Sequence, residues 1–245
     1  MAYYNCLLID SDNTLLDFDA AMAAAFHETM QQFELPDTTE AMEAYHQINN
    51  ALWASLEKGQ IRQDKLLVER FLRFTQTMGE KRDAVKMNEF YLNRLSAHAD
   101  ILPGADETLK ELAEVATIVI LSNGIDTVQR QRLQLSGLEQ YADGIYTSQS
   151  VGAAKPARKI FDVALAELGV TNREKVLVVG DSLGADIQGG VNAGLATCWC
   201  NFKNEENNTQ IKPTHIVRGY EELLRVVMDE EELSNVGSSE KRHKL

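Results

Sequence analysis

The feature that most constrains this chain is a short apolar run that ends abruptly in acids. Residues 6–9 read Cys-Leu-Leu-Ile, and Asp10, Asp12 and Thr14 follow at once. Such a run, bounded by polar residues, predicts a strand buried on both faces, as in a parallel sheet. Ligands of open α/β sheets bind just outside the carboxyl ends of the strands. The sequence therefore places two carboxylates where chemistry is usually done, although one Asp alone would fit an Asx turn or a helix cap.

Composition and charge limit the classes of function. The 245 residues allow one large domain, or a core with a smaller unit, and they can bury a sizeable core. Three cysteines in apolar stretches predict buried thiols in a reducing compartment, and the lack of an apolar run near ~20 residues predicts a cytoplasmic protein without a membrane span. The net charge of −13 disfavours nucleic-acid polymers and membrane surfaces. A phosphorylated ligand would therefore need a divalent cation and a nearby Lys or Arg.

The order of predicted elements divides the chain into a core and an insertion. Helices are predicted at 17–33, 39–58, 64–78 and 83–97, with no convincing strand among them. After residue 100, strands are predicted at 116–121, 144–147, 176–179, 196–200 and 216–217, and helices at 105–114, 125–135, 156–168, 185–193 and 220–228. This alternation predicts an α/β fold with a doubly wound, mostly parallel sheet. We expect a core of residues 1–16 and 100–230, a helical cap of residues 17–99, and a flexible tail of residues 231–245.

Polar residues follow two of the predicted strands: Ser122 and Asn123 come after the strand at 116–121, and Asp181 comes after Gly180 at the end of the strand at 176–179. Asp186 lies five residues later, and Lys155 lies between these segments, just before Pro156 and a predicted helix start. Because parallel strands bring their carboxyl ends to one edge of the sheet, we expect this set to lie beside Asp10 and Asp12. Mg²⁺ prefers oxygen ligands, which the carboxylates of Asp10 and Asp181 and the carbonyl of Asp12 would supply. Phosphate oxygens would be held by Ser122, Asn123 and Lys155.

Four segments in this order resemble the motifs of the haloacid dehalogenase-like (HAD) hydrolase superfamily. They are the Asp-Ser-Asp-Asn-Thr of residues 10–14, Ser122-Asn123, Lys155-Pro156, and Gly180-Asp181 followed by Asp186. The resemblance extends from Cys6 to about Met228, and the predicted helical insertion is similar to the cap that follows the first strand in one subgroup. It implies a phosphomonoester hydrolase that uses Mg²⁺, with Mn²⁺ as a substitute, and a small phosphorylated substrate.

The resemblance also implies a role for each matching residue. Asp10 would be the nucleophile that forms an aspartyl-phosphate, and Asp12 would protonate the leaving alcohol and then activate water. Asp181 would ligate the metal, and Asp186 would act directly or through water. An acid at position 12 separates the phosphatases of the superfamily from its dehalogenases. Position 13 is Asn where many relatives have Gly, and Asn tolerates the left-handed conformation that the turn would need.

A more local resemblance combines segments of the predicted cap and of the predicted core. Residues 45–53 and 59–61 of the cap, and residues 122–124, 151–156 and 189–199 of the core, resemble bacterial house-cleaning pyrimidine 5′-nucleotidases, which implies UMP, dUMP and dTMP as substrates. Trp53 and Tyr45 are candidates to stack on the base, and Asn49 is a candidate to bind its edge. The alternative is that these residues belong to the core or the surface of the cap.

Other interpretations of the sequence remain open. The same machinery would serve a sugar-phosphate or phosphoglycolate-type phosphatase, and less readily a catalytically silent binding protein. The oligomeric state is expected to be a monomer or a homodimer. Arg130 and Arg132 are predicted to be solvated charges on a helix, and none of the five histidines is expected to be catalytic.

Overall fold

The computed structural model describes residues 2–228, so the predicted tail at 231–245 lies outside the described residues. Its sheet has six strands, all parallel, in the order β3-β2-β1-β4-β5-β6. The strands are β1 (Cys6–Ile9), β2 (Thr117–Ser122), β3 (Gly144–Thr147), β4 (Val176–Gly180), β5 (Ala196–Cys200) and β6 (His215–Val217). The predicted doubly wound α/β fold is confirmed.

Five helices lie between β1 and β2: four form a first group, and the fifth begins a second group whose other members lie between or after the later strands. The first group is α1 (Phe18–Gln32), α2 (Thr39–Glu57), α3 (Gln63–Thr77) and α4 (Ala84–Ala97). The second is α5 (Ala105–Ala113), α6 (Asp126–Ser136), α7 (Ser148–Val151), α8 (Arg158–Glu167), α9 (Gln188–Ala193) and α10 (Tyr220–Val227). Among these described helices, none combines the length and the apolar character that crossing a membrane requires.

Three local predictions need correction. Helix α8 begins at Arg158 and not at Pro156, because Ala157 is extended, with ψ 128°, and occupies the N-cap position. The helix predicted at 185–193 is divided, since residues 183–187 form a wider π-type turn before α9 begins at Gln188. The short helix α7, directly after β3, was not predicted.

The central strand β1 shows why its sequence is apolar throughout. Leu7 and Ile9 pack with residues of α5, α6 and α10 on one face of the sheet. Cys6 and Leu8 pack with residues of α8 and α9 on the other face. Successive side chains of a strand point to opposite faces, so a strand covered by helices on both sides has no position for a polar residue before its end.

Helices α1 to α4, residues 18–97, form a helical insert with a hydrophobic core of its own. Phe26, Met30, Phe71 and Tyr91 are among its fully buried side chains. Val128 of α6 also joins this cluster, so the helical insert packs against the edge of the sheet domain that carries the ends of β1 and β2. All three cysteines are buried and free, as the sequence predicts.

Candidate active site

The strand register gathers the predicted site. Ile9 pairs with Ile120 of β2 and with Val179 of β4, so the residues after these strands meet around Asp10. The chain then turns at Asn13, which adopts the left-handed conformation with φ 57°. The Asn13 side-chain oxygen accepts a hydrogen bond from the backbone N–H of Phe18 at 3.1 Å, which connects the turn to the start of α1.

Lys155 is the cation at the centre of this arrangement. Its buried ammonium pairs with Asp10, lies 2.7 Å from Asp186, and donates to the Leu121 carbonyl at 2.8 Å. Burial alone would lower the pKa of Lys155, but the charges of Asp10 and Asp186 raise it above its ordinary value. Lys155 therefore stays charged and holds together residues from the ends of β1 and β2 and from the turn after β4.

Three carboxylates lie close enough to share one cation. Asp10, Asp181 and Asp186 each offer an oxygen, and these oxygens lie within 4.8 Å of one another. Burial, followed by the charge of Asp186, raises the pKa of Asp181 to about 7. Burial also raises the pKa of Asp10, although Lys155 opposes it. One lysine does not balance three clustered acids, so the donor set fits a hard divalent cation such as Mg²⁺.

Gly180, the last residue of β4, makes room for one of these acids. A Cβ atom at position 180 would lie 2.3 Å from the carboxylate of Asp186. The same carboxylate accepts a hydrogen bond from the backbone N–H of Ser182 at 3.0 Å. Only glycine at the end of β4 allows Asp186 to fold back beside Lys155.

The second predicted motif lies at the end of β2. Ser122 is buried, and its hydroxyl accepts a hydrogen bond from the Gly124 N–H at 3.0 Å. The side-chain amide of Asn123 accepts from the backbone N–H of Lys155 at 2.7 Å and donates to the Lys155 carbonyl at 2.9 Å. Asn123 therefore fixes the backbone that presents Lys155, and its predicted contact with phosphate remains a prediction, as does that of Ser122.

Asp12 is held by two residues of α6. Arg132 pairs with one oxygen of its carboxylate, and the Gln129 amide donates to the other at 2.6 Å. The prediction that Arg132 is a solvated charge is wrong, because its side chain is 0% exposed and also donates to the His98 carbonyl at 2.9 Å. Arg130, by contrast, is exposed and pairs with Asp126 on its own helix. Gln129 and Arg132 are three residues apart, the spacing that places two side chains on one face of a helix.

A cavity of about 320 Å³ separates these residues from the helical insert. Its sheet side is lined by Asp10, Asp12, Ser122, Asn123, Lys155, Asp181 and Asp186. Its insert side includes Asn49, Trp53, Glu57 and Arg70. The structure therefore brings the sequence-predicted chemical residues together and places two of the predicted base-binding residues, Asn49 and Trp53, opposite them.

Tyr45 does not line this cavity. Its ring is 0% exposed and lies in the core of the helical insert, with centroids 4.9 Å from Phe26 and 5.5 Å from Phe71. The prediction that Tyr45 stacks on a base is therefore wrong for this structure, because its side chain points from α2 into the core of the helical insert and away from the cavity. Its role is in the packing of the insert.

The chain matches the family model for haloacid dehalogenase-like hydrolases over residues 4–194. It belongs to that family. It is 35% identical to the pyrimidine 5′-nucleotidase YjjG of Escherichia coli over 91% of this chain and 98% of that protein, and 35% identical to the pyrimidine 5′-nucleotidase PynA of Streptococcus pneumoniae over 91% and 94%. The crystal structure of magnesium-bound YfnB, a HAD-hydrolase of Bacillus subtilis, is similar with a TM-score of 0.87 at 32% identity, over 91% of this chain and 98% of that one. With these relatives, the chain is a phosphatase of the family.

The helical insert of this HAD hydrolase supplies residues that the sequence did not single out. Glu57 of α2 reaches the acid cluster, where burial and the charge of Asp186 raise its pKa. Gln63, the first residue of α3, donates to the Asn123 carbonyl at 2.8 Å and to the Ser148 hydroxyl at 3.2 Å. In the sequence, Glu57 and Gln63 were marked only by their position near the ends of two predicted helices. Such a position does not predict contact with Asp186 or Asn123, which lie 60 or more residues away along the chain.

Proposed function

We propose that this HAD hydrolase is a Mg²⁺-dependent 5′-nucleotidase that acts on pyrimidine nucleoside monophosphates. The observation that carries the proposal is the single cavity that joins the Asp10, Lys155 and Asp186 cluster to a wall containing Trp53 and Asn49. The residues of the sheet fit a phosphate beside a nucleophile, and the insert adds an indole and an amide to the lining of the same cavity. The sequence identity with the pyrimidine 5′-nucleotidases YjjG and PynA, each over 91% of the chain, supports a pyrimidine nucleoside as the group released from the phosphate.

The chemistry follows from the positions of two carboxylates. An oxygen of Asp10 attacks phosphorus, the bond from phosphorus to the ester oxygen breaks, and Asp12 gives its proton to the departing 5′-oxygen. Water then attacks the phosphorus of the aspartyl-phosphate, Asp12 accepts a proton from it, and Asp10 is released. Lys155 balances the negative charge gathered beside Asp10. Mg²⁺ bound by Asp10, Asp181 and Asp186, with the Asp12 carbonyl as a further ligand, would supply charge neutralisation of the phosphoryl group.

The helical insert acts as a cap in this proposal. Gln63 bonds to the loop that follows β2, and Glu57 and Arg70 extend the wall over the acid cluster. A cap placed in this way bounds one side of a cavity of about 320 Å³, which offers room for a mononucleotide beside Asp10. The cap assignment of residues 17–99 is part of the proposal.

The experiment that tests the function is phosphate release from a panel of esters at equal concentration. We expect UMP, dUMP and dTMP to have higher kcat/KM than purine nucleotides, hexose phosphates and phosphoglycolate, and EDTA to abolish release until Mg²⁺ is restored. Asp10→Asn provides the control, because release that survives this change comes from a contaminant. A preference for hexose phosphates or phosphoglycolate would contradict the proposal and favour the sugar-phosphate or phosphoglycolate phosphatase.

A further inference from the structure

Glu57 is a carboxylate of the helical insert that lies beside the acid cluster. It is the last residue of α2 and lines the cavity together with Trp53 and Asn49 of the same helix. Because these three residues are spaced by four, they lie along one face of α2. A Cβ atom on Gly184 would lie 2.9 Å from Oε2 of Glu57, so this carboxylate reaches the turn that precedes Asp186.

The negative charge of Glu57 has no cation of its own. Among residues 2–228, no Lys, Arg or His forms an ion pair with it. Lys155, which also faces the cavity, is already paired with Asp10 and Asp186. Burial and the charge of Asp186 raise the pKa of Glu57, although Lys155 and Lys58 oppose the rise. The carboxylate of Glu57 therefore faces another acid without a partner that balances its charge.

Arg70, the other charged residue that the insert adds to this wall, does not supply the missing cation. It lies in the core of the insert beside Tyr45, and its guanidinium is 4.5 Å from the ring centroid of Tyr91. Tyr45 and Glu57 are 12 residues apart on α2, which corresponds to about 18 Å along the helix axis. The part of the insert wall next to the acid cluster is therefore anionic.

The stability of the fold does not explain an acid at position 57. The C-terminal end of a helix carries a partial negative charge, so an acid at the end of α2 is unfavourable. It is also unfavourable to bring a fourth carboxylate toward Asp10, Asp181 and Asp186. A residue that lowers stability in two ways and lines the cavity of an enzyme is expected to act on the substrate.

We propose that Glu57 is a specificity-determining residue that excludes phosphate esters with a second anionic group close to the phosphate. The inference rests on the proposed function, which places the phosphate beside Asp10, and it limits the leaving group of that reaction to uncharged ones. A carboxylate accepts hydrogen bonds from hydroxyl groups, such as those of a sugar, whereas it repels a carboxylate or a second phosphate at the same place. Repulsion of the wrong ligand is an effective basis for specificity.

The test compares phosphoglycolate with 2-hydroxyethyl phosphate, which has the same length but carries a hydroxymethyl group in place of the carboxylate. We measure kcat/KM at pH 8 with excess Mg²⁺ for the wild type and for Glu57→Gln, which keeps the size of the side chain and removes its charge. The wild type should favour 2-hydroxyethyl phosphate, and Glu57→Gln should lower that preference by about 10- to 100-fold. The change should come from faster hydrolysis of phosphoglycolate, with 2-hydroxyethyl phosphate altered by less than about threefold.

Glu43→Gln is the matched control, because Glu43 is on the same helix but is exposed and lies outside the cavity wall. It removes the same charge from α2 and should leave the preference unchanged. A second measurement needs no variant and uses inhibitors that are not hydrolysed. In the wild type, 2-hydroxyethylphosphonate should inhibit hydrolysis of p-nitrophenyl phosphate more strongly than phosphonoacetate does, since the two compounds differ by the same charge.

The outcomes separate this inference from the proposed function. An unchanged preference in folded Glu57→Gln, or equal inhibition of the wild type by the two phosphonates, would overturn the assignment of Glu57 and leave the nucleotidase function intact. If the wild type prefers hexose phosphates to every nucleotide while Glu57→Gln still relaxes the rejection of phosphoglycolate, the nucleotidase function is wrong and the assignment of Glu57 stands.

Discussion

Asp181→Asn is expected to stabilise the protein without a cation while it removes the response to Mg²⁺. Asp181 lies in a cluster with Asp10 and Asp186, and its burial and the charge of Asp186 raise its pKa from 3.8 to about 7. The folded protein therefore binds this proton more tightly than the unfolded chain does. The stability linked to Asp181 is complete below the unfolded pKa and is lost as the pH rises through about 7.

The magnitude follows from that pKa. One pKa unit corresponds to about 1.4 kcal/mol, so a rise of roughly three units costs the wild type about 4 kcal/mol at pH 8. At pH 5 the carboxyl of Asp181 is mostly ionised in the unfolded chain but protonated in the folded protein. Only about one unit of the pKa difference then counts, so the cost to the wild type is about 1–2 kcal/mol. Because the three carboxylates share their repulsion, we expect Asp181→Asn to raise the free energy of unfolding by about 2–4 kcal/mol at pH 8 and by clearly less at pH 5.

The measurement is urea unfolding of both proteins in EDTA at pH 5 and pH 8, repeated at pH 8 with excess Mg²⁺. Mg²⁺ should stabilise the wild type much more than the variant, and the variant should lose hydrolytic activity. Asp162→Asn serves as the control of opposite sign, because Arg173 and Arg158 hold the pKa of Asp162 below its ordinary value despite its partial burial. A gain for Asp181→Asn that is the same at both pH values, or a loss at pH 8, would refute the repulsion inferred for the acid cluster.

Three further outcomes test other parts of the site. Asp12→Asn should slow hydrolysis of dUMP by about 10²–10⁴-fold. The first turnover of p-nitrophenyl phosphate should be much less affected, because nitrophenolate leaves without a proton. If Asp12 is not the acid, rapid-quench assays will show equal losses of rate for the two substrates. Arg132→Met should lower the free energy of unfolding by about 2–3 kcal/mol in urea, since it breaks a pair in which Arg132 is fully buried and Asp12 is partly exposed; a change near zero would contradict the pairing. Gln63→Ala should raise KM for nucleotides about three- to tenfold by removing the insert's bond to the Asn123 carbonyl, and an unchanged KM would show that this contact does not contribute to closure.

Local sequence pattern was enough to predict most of the sheet. The strands β3 and β5 have the predicted bounds, 144–147 and 196–200, and β1 has the predicted position. These segments are short, apolar and bounded by turn residues, and their burial on both faces leaves little choice of conformation. The prediction was weaker where helices begin, as at Arg158, because the start of a helix depends on the backbone of the preceding loop.

The order of acids, amide and lysine along the chain by itself indicated which residues would form this site. Parallel topology brings the ends of β1, β2 and β4 together, while the loop before α8 and the turn after Gly180 bring Lys155 and Asp186 to Asp10. Only the tertiary structure decided that Arg132 is buried against Asp12 and that Tyr45 lies inside the insert. The side chains of α6 and α2 show a helical period, but which face is covered depends on partners far away in sequence: Asp12 precedes Arg132 by 120 residues. A polar side chain can be buried only when a partner pairs with it, and the sequence around one position does not show which distant residue that partner is.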